Sequence, residues 1–154
     1  MASPERGATT CVFFYGLNMD PAVLAQRGVH GVRPLPAWVD GHAVVLRAKA
    51  ILLARPGARA YGALAALTAR ELDALYAGLA GYVPVMLRAR RFDPAHPAHP
   101  APRAGAALPA LAMVHVAPDL AAPVDADYLA RWRAIAAALG LPAAQDGIAV
   151  GSAA

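Results

Sequence analysis

Short apolar runs typical of strands are interrupted along this chain by amphipathic patterns typical of helices. Residues 11–14 form the first apolar run and predict a buried strand. Asp20 and Pro21 predict the start of a short helix over residues 21–27, with Asp as N-cap and Pro in the first turn. A Gly/Pro-rich connection follows over 28–36. Three more strands are predicted in the next segment, at 42–46, 49–54 and 60–67.

Local signals in this segment predict a turn, a bulge or close backbone approach, and the cap of the next helix. Residues 55–58 read Arg-Pro-Gly-Ala and predict a turn, and Gly62 marks a bulge or a close approach of another backbone. Thr68 and Glu71 have the spacing of a capping box, which predicts a second helix. Its apolar face is predicted to hold Leu72, Leu75, Tyr76 and Leu79.

The second half of the chain predicts two strands and a last helix. The strands fall at 85–92 and within 108–117, on either side of a Pro-rich loop over 93–103. The last helix begins after Asp125 and ends at Leu139. Runs of strands interrupted by three unequal helices predict an α+β fold. The best fit is a small mixed, mostly antiparallel β-barrel with helices packed at its sides.

Length and composition predict a single domain. The chain has 154 residues, enough for one core. We expect a flexible leader over 1–9, one domain over 10–142 and a C-terminal tail over 143–154. A lone cysteine, Cys11, excludes an intrachain disulfide and favours a reducing compartment, so a cytoplasmic location is expected. No stretch has the pattern of a secretory signal or of a membrane span.

The charged and metal-ligating residues point to few partners. The net charge is +4, which favours anions, but the patch of Arg88, Arg90 and Arg91 has no aromatic stacking platform. We therefore expect no nucleic acid. His96 and His99 lie in the Pro-rich loop without a third ligand, so no metal and no cofactor is expected. The sequence does not indicate an oligomeric state.

Residues 15–19 (Tyr-Gly-Leu-Asn-Met) form the candidate site. This segment joins the first strand to the first helix, and a Gly-containing loop of this kind can turn backbone N–H groups toward a small anionic ligand. The alternative is a tight turn that uses glycine only for its backbone freedom. The pattern alone leaves both interpretations open.

The order and spacing of these elements resemble the γ-glutamylcyclotransferase-like superfamily over residues 11–142. The resemblance is carried by the Tyr-Gly-X-Asn-Met loop, the capped mid-chain helix and the Gly-Tyr-Val-Pro-Val-Met-Leu segment at 81–87. It implies a barrel with a cleft at the first loop. It also implies release of 5-oxoproline from γ-glutamyl amines, in which the substrate's own α-amino group attacks its γ-carbonyl.

Within the loop, the resemblance assigns substrate binding to Tyr15, Gly16, Asn18 and Met19, which match the superfamily pattern. Leu17 stands where the superfamily has serine, so an alkyl group replaces a hydroxyl donor. Backbone donors at this position are unaffected by that change. A small-molecule ligand is therefore expected in the cleft formed by Tyr15–Met19.

The general base that the resemblance implies is missing. Leu79 stands where the superfamily has a catalytic glutamate, and no carboxylate occurs between Asp73 and Asp93. Tyr82 is expected to orient the substrate, or else to be a half-buried barrel residue. His115 is the candidate for a displaced base, with a hydrogen-bonded core histidine as the alternative.

Two functions follow from this pattern. One is a γ-glutamylcyclotransferase-like protein that binds a small γ-glutamyl or amide-bearing molecule, either as an active enzyme or as a pseudoenzyme. The other is a non-catalytic small-molecule-binding or protein-interaction domain on the same fold. Whether the protein is an enzyme is not decided by the sequence.

Overall fold

A computed structural model of the protein describes residues 7–95 and 107–142. Its runs of strands are interrupted by three helices of unequal length, as the sequence predicts. The strands are β1 (Thr9–Phe14), β2 (Leu35–Leu46), β3 (Ala50–Thr68), β4 (Tyr82–Arg91) and β5 (Leu108–His115). The helices are α1 (Pro21–Gln26), α2 (Ala69–Tyr76) and α3 (Ala126–Leu139), with a 3-10 helix at Leu17–Met19.

The five strands close into a barrel in the order β1-β3-β2-β4-β5. All neighbours pair antiparallel except β1 and β5, which run parallel with Val12 opposite Leu111. The predicted α+β fold, a mixed and mostly antiparallel barrel with helices at its sides, is confirmed. Closure on β1 places the loop that follows this strand at one end of the barrel.

The turn predicted at residues 55–58 is wrong. The chain continues through them as one strand, β3, and the register against β2 shifts between the pairs Asp40–Arg59 and His42–Ala54. Gly57 has a φ of +81° there, which explains the glycine without a reversal of the chain. Strand β2 also begins earlier than expected, at Leu35, inside the segment predicted as a connection.

Gly62 lies where the backbone of β1 passes closest to β3, as the sequence predicts. A Cβ built at Gly62 would collide with the carbonyl oxygen of Phe14 and come within 2.7 Å of Cζ of Phe13. Glycine therefore lets the end of β1, which leads into the candidate loop, pack closely against β3.

The helix caps follow the local sequence. Thr68 and Glu71 form the predicted capping box, and Asp20 and Asp125 accept from backbone amides as N-caps. The placement of Leu79 on α2 is wrong, because the helix ends at Tyr76 and Gly78 adopts a φ of +80°.

The barrel interior and the inner face of α3 form one hydrophobic core. Trp132 and Ala136 of α3 are buried in it, together with Trp38 of β2. Each large apolar side chain buried in this way contributes about 1.5–3 kcal/mol. His96, His99, the first six residues of the predicted leader and the predicted tail lie outside the described residues.

Candidate functional site

The loop after β1 is held from two sides. The indole Nε1 of Trp132 donates to the carbonyl oxygen of Tyr15 over 2.8 Å, and the Tyr15 hydroxyl donates to the carbonyl oxygen of Met113 over 2.6 Å. Within the loop, the amide of Met19 donates to the carbonyl oxygen of Gly16 over 3.2 Å. Helix α3 and strand β5 thus fix the loop, so its backbone is arranged before any ligand arrives.

A cavity of about 210 Å³ opens beside this loop. This volume suits an amino-acid-sized molecule, since pockets for drug-sized ligands measure about 300–1,000 Å³. Most of the residues predicted for the site line it: Tyr15, Gly16, Leu17, Asn18, Leu79 and Tyr82. The loop and the exit of α2 therefore face the same cavity, although they are about 60 residues apart in the chain.

Met19 is placed differently from the other loop residues. Its side chain is fully buried, and it lines a second groove between the start of β2 and the end of α3 rather than the loop cavity. That groove is larger, about 450 Å³, and it is mainly apolar, with Leu35 and Ile135 on its walls. The loop cavity is the better candidate for specific recognition because several polar groups converge in it.

Tyr76 and Asn18 form a polar pair in the loop cavity. Burial raises the pKa of Tyr76 to about 12, while a hydrogen bond from the Asn18 amide and the positive charge of Arg27 act in the opposite direction. Within the described ranges, Oδ1 of Asn18 is buried and has no hydrogen-bond partner. Because Asn18 lines the cavity, a ligand N–H that reached this buried acceptor would supply its missing partner.

Tyr128 of α3 reaches over the loop. A Cβ built at Gly16 would lie 3.1 Å from the Tyr128 hydroxyl, so the phenol sits directly on this glycine. Burial raises the pKa of Tyr128, and hydrogen bonds from the backbone at Ala50 and Leu17 partly offset the shift. The phenol oxygen therefore already uses one backbone donor of the loop, that of Leu17, of the kind that the resemblance assigns to a substrate.

Three tyrosines of the cavity, Tyr15, Tyr76 and Tyr128, are neutral at physiological pH. Burial raises the pKa of Tyr15 in the same direction as those of Tyr76 and Tyr128. Their hydroxyls are consequently hydrogen-bonding groups, not bases.

Two cations also line the cavity, Arg27 at the end of α1 and Lys49 in the β2–β3 turn. Among the lining residues within the described ranges, no side chain carries a carboxylate. In the same parts of the chain, no three His, Cys, Asp or Glu side chains come together as a candidate metal site. The cavity thus combines positive charge with neutral donors and acceptors.

His115 packs against Tyr82 and does not line the cavity. The two rings meet edge to face with centroids 5.1 Å apart, and Nδ1 of His115 accepts a hydrogen bond of 3.1 Å from the amide of Ala117. A neutral imidazole that accepts at Nδ1 carries its proton on Nε2. In this arrangement His115 supports the Tyr82 ring, and its role as a base stays a prediction.

Cys11 gives no sign of a nucleophile. It is half-buried on β1, and burial raises the pKa of its thiol, which lowers the thiolate fraction at neutral pH. In the described parts of the chain, no helix combines the length and apolar character needed to cross a membrane.

Comparison with solved structures decides the fold. A γ-glutamyl cyclotransferase superposes on 87% of this chain and 82% of its own, with a TM-score of 0.68 and 15% identity. The chain has the γ-glutamylcyclotransferase-like fold. A protein from Arabidopsis thaliana gives a TM-score of 0.62 at 18% identity and covers 89% of this chain and 80% of its own. YkqA from Bacillus subtilis gives 0.65 at 18% identity, over 84% of this chain and 49% of its own.

Comparison of sequences adds no relative to these structural matches. No protein-family model matches the chain, and no curated protein matches it either. At 15–18% identity, these structural matches establish the γ-glutamylcyclotransferase-like fold alone. The chemistry of the cavity follows from its own residues.

Four residues with polar or charged side chains line the cavity and were not predicted as site residues: Arg27, Lys49, Tyr76 and Tyr128. Tyr76 was expected on the apolar face of α2, and it does lie there, but that face borders the cavity. Tyr128 is four residues before Trp132 and so shares its inward face, which was the available signal. No local sequence pattern predicts that Arg27 and Lys49 line the cavity.

Proposed function

We propose that this protein binds a small γ-glutamyl or other amide-bearing molecule in the loop cavity, and that efficient release of 5-oxoproline is not its activity. The observation that carries the proposal is a preorganised cavity with several polar groups, on a γ-glutamylcyclotransferase-like fold, whose described lining contains no carboxylate. The unpaired Oδ1 of Asn18 suits the N–H of an amide group.

Without a general base in the cavity, we expect the protein to bind its ligand but not to cyclise it efficiently. Cyclisation requires a proton to leave the α-ammonium group before its nitrogen can attack the γ-carbonyl, and general-base catalysis contributes about 10²–10⁴-fold. Leu79 lines the cavity and is 41% exposed, so a carboxylate introduced there would reach the ligand without disturbing the core. Positioning of the substrate alone would leave a slow residual reaction.

The test measures 5-oxoproline released from γ-glutamyl dipeptides and glutathione. We expect little release by the unmodified protein and an increase of up to about 10²–10⁴-fold for Leu79→Glu. Leu79→Gln is the matched control, because it has the same size without the charge. Release at an enzyme-like rate by the unmodified protein would overturn the proposal, and a response of Leu79→Gln equal to that of Leu79→Glu would refute the role given to this position.

A non-catalytic protein-interaction domain is the second candidate. It is favoured by apolar side chains exposed on β4, where Val83, Val85 and Met86 are 41%, 37% and 60% exposed. In that case amide ligands leave the loop unaffected, and substitution of Met86 by a polar residue changes binding to a partner chain. The cytoplasmic location favoured by the single cysteine belongs to either proposal.

A further inference from the structure

Among the described residues that line the loop cavity, all charged side chains are positive. Arg27, at the end of α1, and Lys49, in the β2–β3 turn, both line it, and both residues are exposed. No ion pair within the described ranges neutralises either of them. A ligand in this cavity therefore meets net positive charge.

The remaining lining groups do not supply the opposite charge. Tyr15, Tyr76 and Tyr128 hold their protons at neutral pH because burial raises each pKa. Asn18 offers one neutral acceptor, the buried Oδ1 atom. A neutral amide N–H matches such an acceptor, whereas an ammonium group brings three donors and a full charge.

The free ammonium group of a γ-glutamyl amine is thus poorly accommodated. It would lose water in a cavity without a counter-charge and would be repelled by both cations. A carboxylate is attracted by the same two cations. The positive charge of the cavity should therefore distinguish otherwise similar ligands by whether their nitrogen is charged or neutral.

We infer that the cavity takes an amide-bearing carboxylate whose nitrogen atoms are all neutral, such as an N-acylated amino acid, in preference to γ-glutamyl compounds with a free ammonium group. The inference rests on the proposed function, that the loop cavity binds an amide-bearing molecule, and it names the class of ligand.

The test compares three ligands by isothermal titration at low ionic strength. L-glutamine carries the ammonium group, N-acetyl-L-glutamine replaces it with a neutral amide, and glutaric acid monoamide lacks it without added bulk. We expect both anionic ligands to bind at least about tenfold more tightly than L-glutamine. The preference should weaken as salt is added, because both cations are exposed to solvent.

Charge removal identifies the residues responsible. Arg27→Gln and Lys49→Gln should each weaken binding of N-acetyl-L-glutamine about three- to fivefold and change L-glutamine binding little. Arg55→Gln is the matched control, since Arg55 is exposed on β3 and does not line the cavity. Equal effects of all three substitutions would overturn the inference.

The outcomes separate this inference from the proposed function. If L-glutamine or a γ-glutamyl dipeptide binds as tightly as the two anionic ligands, the inference is wrong and the proposed function stands. If none of these ligands binds, both are wrong.

Discussion

The indole N–H of Trp132 donates to the carbonyl oxygen of Tyr15 across 117 positions of sequence, with an N–O distance of 2.8 Å. This bond is buried, and it joins α3 to the end of β1 at the point where the candidate loop begins. The geometry of the loop therefore depends on the last helix of the domain.

Trp132→Phe tests this link. The substitution leaves the buried Tyr15 carbonyl without its partner, which costs about 1–3 kcal/mol of the free energy of unfolding in addition to the lost packing. Trp38→Phe is the control, because the Trp38 indole is equally buried but its Nε1 has no hydrogen-bond partner in the described structure. Urea unfolding should show the larger loss for Trp132→Phe, and equal losses would contradict the link.

Tyr128 and Gly16 are expected to be energetically coupled. The Cβ of Gly16→Ala would lie 3.1 Å from the Tyr128 hydroxyl, and Gly16 has a φ of −118°, so the backbone itself accepts alanine. The cost of Gly16→Ala, about 1 kcal/mol or more, should fall when Tyr128→Phe removes the hydroxyl. A double-mutant cycle from unfolding measurements gives the coupling, and additive effects would show that the phenol does not rest on the loop.

Gly62→Ala should be among the most destabilising single substitutions in the barrel. The new Cβ meets the Phe14 carbonyl oxygen and the Phe13 ring, and the backbone of a paired strand cannot move away easily. We expect a loss above about 3 kcal/mol or failure to fold. Gly57→Ala, where nothing lies within 4 Å of the added Cβ, should cost only about 1 kcal/mol from its positive φ. Similar losses at both glycines would contradict the close strand approach.

Stability should fall at alkaline pH through the buried tyrosines. Burial raises the pKa of Tyr76 to about 12, above the value near 10 of an unfolded tyrosine. The native state then holds a proton that the unfolded state releases, so stability is unaffected below about pH 10 and decreases as the pH rises toward 12. Urea unfolding over this range should show a shallower decrease for Tyr76→Phe, and an unchanged slope would show that Tyr76 is not buried.

Local signals predicted the caps and the candidate loop well. Thr68 and Glu71 are three residues apart and satisfy each other's backbone, so the capping box needs no tertiary contact. The strand–loop–helix order around residues 15–19 is equally local. The barrel itself follows from the number and order of strands together with the resemblance that guided their arrangement.

Features set by distant pairing could not be predicted. The Pro-Gly pair at residues 56–57 fits a turn and a bulge equally well, and only the register against Asp40 and His42 decides for the bulge. The arrival of Tyr128 at Gly16 depends on how α3 packs, which no local pattern encodes. The placement of Arg27 and Lys49 at one cavity likewise depends on contacts between distant parts of the chain.

Backbone amide NMR during titration with N-acetyl-L-glutamine tests the central claim most directly. The claim is that the loop cavity of this γ-glutamylcyclotransferase-like fold binds an amide-bearing molecule. We predict saturable shifts concentrated at Gly16, Leu17, Asn18 and Ala50, with little change at Leu35 and Ile135 in the second groove. Shifts confined to the second groove, or no saturable shifts in the loop, would contradict the claim.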